Sequence, residues 1–241
     1  MQLNNTKRAF VGKGILLLGI VLIGYILRFL IGMNATISRD GIWYIRYSMG
    51  WHAENALSKW HTNDTFLFVY ILKQMLLFET NPVLVGLSLN IVLGVCFIVL
   101  TFLFIKCLTG NSIASFLCSF LVAVHPTFIF LSADVLRENL FLCLSALSLI
   151  CAFYDKKNSF QSAYIIAASL FTSCAILTRA EGVLLLPFLV MCILIRHKLY
   201  FALFRLSVYL LLSCLFYFFI VQCVAPEHRI NILERTISFI F

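Results

Sequence analysis

Long uninterrupted apolar runs separated by short polar stretches dominate this chain. They cover residues 14–33, 83–105, 113–133, 137–154, 161–178, 182–195 and 200–224. A helix needs about 20 apolar residues to cross a hydrocarbon core of about 30 Å, and most of these runs approach or exceed that length. Barrel strands alternate apolar and polar residues over about 10 positions, which these continuous runs do not do. The pattern therefore predicts an all-α polytopic bundle of about seven transmembrane helices. Between the first two runs lies one long polar stretch, 34–82, and within it Phe66 to Phe78 is apolar but short and carries Lys73. That segment predicts an interfacial or re-entrant helix. Residues 1–224 form the membrane domain in this reading. Residues 225–241, apolar at 230, 233, 237 and 240, read as an interfacial helix or an incomplete span.

Composition supports the same class. The chain of 241 residues is 62% hydrophobic and 12% charged, with a mean hydropathy of +1.02, far from the roughly 25% charged usage of soluble domains. The net charge of +8 would suggest nucleic acid in a soluble protein, but the basic residues stand singly or in pairs at the ends of apolar runs. Topology accounts for them, and no nucleic-acid partner is expected. With the N-terminus in the cytoplasm, that side collects Lys7, Arg8, Lys13, Lys106, Lys156, Lys157, Arg196, Lys198 and Arg205 against Asp155 alone. The positive-inside rule then places the remaining acids at the extracytoplasmic face or in segments bordering it. The nine cysteines fall in or at the ends of apolar runs without CxxC spacing, which argues against disulfide or cysteine–zinc frameworks.

Three charged clusters border that face. In Arg39-Asp40-Gly41-Ile42-Trp43-Tyr44, helical spacing puts Asp40, Trp43, Tyr44, Tyr47 and Trp51 on one face, either as an interfacial aromatic belt or as an aromatic-walled site with a partly desolvated Asp as general base. In Ser132-Ala133-Asp134-Val135-Leu136-Arg137-Glu138-Asn139, Asp134, Arg137 and Glu138 have i, i+3, i+4 spacing, which serves a salt-bridged helix start or a functional site at headgroup depth. In Leu177-Thr178-Arg179-Ala180-Glu181-Gly182, Arg179 emerges at lipid-phosphate depth with a fork suited to bidentate phosphate binding, or snorkels to cap carbonyls, and Gly182 lets the chain reverse tightly. Arg28 is expected to snorkel outward from the first span, and His125-Pro126 to kink the third. Phosphate-loop, dinucleotide, HExxH and GxSxG motifs are absent.

Taken in order, these segments resemble the polytopic GT-C glycosyltransferases, the group including protein O-mannosyltransferases and enzymes that decorate lipid A or polysaccharide. The likeness covers roughly residues 14–195. It rests on the first-loop Asp40 in Arg-Asp-Gly-Ile-Trp-Tyr, on Pro126 through Ser-Ala-Asp-Val-Leu-Arg-Glu-Asn-Leu-Phe, and on Leu-Thr-Arg-Ala-Glu-Gly-Val-Leu-Leu-Leu-Pro, which is similar to the family's Leu-Thr-Arg-Pro-Glu-Gly. The resemblance implies transfer of a sugar from a polyprenyl-phosphate donor to a lipid, glycan or protein hydroxyl outside the cytoplasm, in a plasma or inner membrane, or in the endoplasmic reticulum. It implies Asp40 as general base, and Arg137 and Arg179 as stabilisers of the leaving phosphate. Asp134 and Glu138 would orient them or help hold a divalent cation (Mg or Mn), with Trp43, Tyr44 and Glu181 completing the substrate site. Where many family members pair two acids in the first loop, this chain has Gly41 beside Asp40. Two other classes fit the same residues: a non-catalytic membrane partner of a larger transferase, and a flippase for a lipid-linked glycan.

Overall fold

The computed structural model describes residues 2–49, 66–79, 81–154, 161–188 and 199–224. Among these the chain is all-helical, with no strand. In order come α1 (Gln2–Gly32), α2 (Arg39–Ser48), α3 (Phe66–Met75), α4 (Pro82–Thr109), α5 (Ser112–Val124), α6 (Pro126–Ser132), α7 (Glu138–Phe153), α8 (Gln161–Thr178), the 3₁₀ turn η1 (Ala180–Leu184) and α9 (Leu199–Val224). Local chemistry sets several boundaries. Asn81 accepts from the Val83 and Leu84 N–H groups ahead of α4, whose first residue is Pro82. Gly110, at φ 70°, ends α4 in the left-handed conformation, and Asn111 caps α5 two residues before Ile113.

Burial runs opposite to that of a water-soluble protein. Leu18, Leu22, Leu117, Leu121, Leu211 and Phe219 are exposed, while Ser119, Asn90, Ser148, Thr172 and Arg28 are fully enclosed. Such an outside is solvated by lipid, and the chain is a membrane protein. Among the described residues two helices, Gly12–Gly32 and Pro82–Thr109, are long and apolar enough to cross a bilayer, and the bent pair α5–α6 makes a third if it is one span. That is fewer than the seven runs in the sequence: Glu138–Phe153, Ala163–Thr178 and Val208–Ile220 are apolar but shorter. The run at 182–195 opens as a 3₁₀ turn, and its end lies outside the described residues, as do 225–241.

Hydroxyls tie α7, α8 and α9 together. Ser148 Oγ and Thr172 Oγ1 lie 2.6 Å apart, Thr172 Oγ1 is 2.7 Å from the Tyr209 hydroxyl, and Ser173 donates to the Ser213 carbonyl at 2.7 Å. In lipid no water competes for these groups, yet such side-chain bonds contribute only about 0.6 kcal/mol on average. Tyr209→Phe should therefore lower stability by about 1 kcal/mol or less and leave the helices in place. Urea or SDS titration of the purified protein reads this directly, and a loss several times larger would mean that Tyr209 holds the bundle together.

The break at His125-Pro126 bends the third apolar run by 58°. Pro126 has no N–H to offer the Val122 carbonyl, and the Thr127 N–H turns to His125 Nδ1 at 3.2 Å rather than to the Ala123 carbonyl. Arg28 supplies both missing donors. Its Nη2 donates to Val122 at 3.1 Å, its Nη1 to Ala123 and to Gly24 at 3.0 Å each, and its Nε to Ser132 Oγ at 3.1 Å. The expectation that Arg28 snorkels outward is thus overturned, because the side chain is completely buried. It stays inside because the broken helix presents unmatched carbonyls, and the negative end of a helix dipole, at that depth. Glycines make the room: a Cβ on Gly94 would meet Ser132 Oγ, and Arg28 Nε at 2.8 Å.

Candidate functional site

Helix α2 begins at Ser38, whose Oγ accepts from the Gly41 N–H at 3.1 Å and whose own N–H donates to Asp134 Oδ1 at 3.2 Å. Asp134 Oδ1 also accepts from the Val135 N–H at 2.7 Å. One carboxylate thus seats the start of α2 on the link between α6 and α7. The apolar residues behind it, Tyr44, Ile45, Phe68, Leu72, Val85, Val135 and Leu140, pack as one cluster joining α2, α3, α4 and α7. This is where α3 belongs: ten residues long, within the short apolar run that begins at Phe66, it buries Phe68 and Leu72 in this cluster.

Asp134, Arg137 and Glu138 do not share a helix face. Residues 133–137 form a bend, and α7 starts only at Glu138, so the i, i+3, i+4 geometry expected of them is absent. Asp134 accepts from backbone N–H groups, whereas Glu138 reaches across to Arg179, with Nη1 to Oε1 at 3.1 Å. Arg179 also donates from Nε to Glu181 Oε2 at 3.1 Å and from Nη2 to Glu181 Oε1 at 3.0 Å, a bidentate pair. Its guanidinium carbon stands 5.8 Å from the centre of the Phe141 ring. The Arg179 guanidinium, first through those hydrogen bonds, holds Glu181 below its ordinary 4.5, and the Glu181 carboxylate in turn raises Arg179. The Glu181 contribution to stability is therefore present above the ordinary glutamate range and fades as pH falls through its lowered value.

Tyr44 marks where the three clusters converge. It is 3% exposed and stands edge-on to Phe68 at 5.6 Å. Burial raises its hydroxyl to about 12, with Arg137 and Arg179 pulling it down and Glu138 and Asp40 pushing it up. Charges from residues 40, 137–138 and 179, far apart in sequence, thus act on one phenol. Trp43 is half-buried and stacked on Tyr47, centroids 6.0 Å apart. Asp40 is exposed, so the partial desolvation expected of it is not seen among the described residues; Trp51 lies outside them. Gly182 is buried without a positive φ. Its role is close approach rather than chain reversal, since a Cβ there would stand 2.7 to 2.9 Å from backbone atoms of Ala175 and Ile176.

A groove of about 720 Å³ runs between the end of α1 and α6, with Leu30, Ile31, Phe130 and Leu131 along it and Asn34, Thr36 and Asp134 at its polar part. Among the described residues no group of three or more His, Cys, Asp or Glu could hold a metal ion. Glu138 and Glu181 already have oxygens on Arg179, so the described residues do not fit the divalent cation that the resemblance left open. Residues missed from sequence include Ser38, Phe68 and Phe141 at the site, and a buried chain beneath it. Asn139 Nδ2 lies 3.3 Å from Ser132 Oγ, 3.2 Å from Asn90 Oδ1 and 3.0 Å from the Leu131 carbonyl. Ser132 and Asn139 bracket the bend, and polar residues inside apolar runs were the available signal. Comparison with family models, curated proteins and solved structures finds no match to this chain.

Proposed function

We propose that the protein is a membrane glycosyltransferase, with about seven spans and a cytoplasmic N-terminus, that moves a sugar from a polyprenyl-phosphate donor to a lipid, glycan or protein hydroxyl at the extracytoplasmic face. The observation that carries this reading is that the three charged clusters are joined in space, the first to the second by the Ser38 N–H on Asp134 and the second to the third by Arg179 on Glu138. Charges gathered at the level of lipid headgroups are expensive unless paired or used. In the proposed reaction the acceptor oxygen attacks the anomeric carbon and its proton passes to the Asp40 carboxylate. The bond from that carbon to the phosphate oxygen breaks, and the charge left on the polyprenyl phosphate is met by Arg179 and Arg137. Trp43 offers an aromatic wall to a sugar ring, and the groove beside Asp134 offers an apolar path to a lipid-borne substrate.

The test uses the purified chain in nanodiscs with polyprenyl-phosphate sugars and a panel of acceptors, products being read by mass spectrometry. Arg179→Ala is expected to lower transfer by 100-fold or more, on the order of 2.7–4 kcal/mol of lost transition-state stabilisation. Unchanged transfer in folded Arg179→Ala and Asp40→Asn proteins would end the proposal. A second reading, a flippase or non-catalytic partner that binds the lipid phosphate, is favoured by one observation: Arg179 is held by two carboxylates, as a binding residue can be. Carrier binding without transfer over the whole panel would select it.

A further inference from the structure

The Arg179 guanidinium is a crowded anion site. Glu138 takes Nη1, and Glu181 takes Nε and Nη2 together, so a phosphate can reach the fork only by displacing a carboxylate. The two carboxylates are not equivalent. Glu138 is the first residue of α7, where the helix dipole favours a negative charge, and its side chain is 24% exposed, with Oε2 buried and without a hydrogen-bond partner among the described residues. Glu181 sits in the 3₁₀ turn two residues beyond the arginine, its side chain half-exposed. Glu181 is the more exposed of the two, so its release to water costs less than withdrawal of Glu138. Withdrawing Glu138 would move a residue anchored in α7, and Phe141, one turn along the same helix, lies against the guanidinium.

We infer that the Nε–Nη2 edge of Arg179 is the phosphate-recognition edge, that Glu181 occupies it as an internal placeholder, and that the phosphate group of the lipid carrier exchanges with Glu181 while Glu138 keeps the guanidinium in position. A carboxylate and a phosphate present the same pair of oxygens to the arginine fork, which is why one can stand in for the other. This rests on the phosphate-binding reading of Arg179 proposed above. Its added content is a direction of effect: removing one acid beside the arginine strengthens anion binding, and removing the other weakens it.

The experiment measures binding of a short-chain polyprenyl phosphate, and separately of inorganic phosphate, to nanodisc-embedded wild type, Glu181→Gln, Glu138→Gln and Arg179→Ala, each checked for an unchanged unfolding transition. Glu181→Gln is expected to bind the lipid phosphate about three- to tenfold more tightly. Glu138→Gln is expected to bind it more weakly and Arg179→Ala not measurably. Inorganic phosphate should show the same ratio between Glu181→Gln and wild type at lower absolute affinity, since the exchange concerns the headgroup alone. Equal or weaker binding by Glu181→Gln, with binding still lost in Arg179→Ala, would overturn the placeholder and leave the phosphate site standing. Undiminished binding by Arg179→Ala would overturn both.

Discussion

Replacing Arg28 by Leu is expected to destabilise the folded protein by about 2–6 kcal/mol, the cost of leaving two buried carbonyls without donors. An opposing expectation comes from the membrane, where an arginine at mid-depth costs about 2.5–3.5 kcal/mol to insert. The folded state decides between them. Without Arg28 the carbonyls of Val122 and Ala123 lose their donors, at about 1–3 kcal/mol each when buried, and Ser132 loses one partner. The inserted but unpacked chain gains less from the substitution, because there the long side chain can snorkel. Arg28→Lys, which keeps the charge but lacks the planar fork, should fall between the two. The cause can be isolated with Pro126→Ala, which returns an N–H to position 126. If Arg28 is there to satisfy the break, Arg28→Leu will be milder in the Pro126→Ala background than alone, a coupling visible in a double-mutant cycle by SDS titration. Additive effects would refute the clamp.

What the sequence revealed and what it hid have separable causes. Continuous apolar runs carried the helical class, because lipid forces every backbone group to be satisfied within a helix or barrel. The number of crossings was less legible: among the described residues two helices, and a third if the bent pair is one span, are long and apolar enough to cross, and hydropathy alone does not set where the shorter apolar helices begin and end. Arg28 was misread for a related reason: the rule that arginine snorkels assumes no acceptors at depth, and the acceptors here come from a proline some hundred residues away. The charged residues of the site were legible as types and positions, while their pairing was not. Helical spacing put Asp134, Arg137 and Glu138 together, but the chain bends there, and Glu138 meets an arginine 41 residues on.

Gly41→Asp, which would recreate the paired acids of the first loop in the family that this chain resembles, is expected to damage the protein rather than improve it. The start of α2 lies so close to the α6–α7 link that a Cβ at position 41 would stand 2.7 Å from Ile37 Cγ2, 2.8 Å from Asp134 Oδ1 and 3.2 Å from the Val135 carbonyl oxygen. Steric overlap alone, tested by Gly41→Ala, should cost about 1–3 kcal/mol. An aspartate adds a second carboxylate against Asp134, whose Oδ1 already accepts from Ser38 and Val135. A carboxylate forced into that space is either ionised beside a like charge or protonated at neutral pH, and the total loss should reach about 3–5 kcal/mol. Because the same seat carries Tyr44 one turn further along α2, binding of a polyprenyl phosphate should fall together with stability. A Gly41→Asp protein as stable as wild type would mean that α2 does not rest on Asp134, and the convergence at Tyr44 would lose its foundation. If the loss is as large as expected, the second acid of the family pattern is excluded at position 41 by contact, and Asp40 has to act without an adjacent acid.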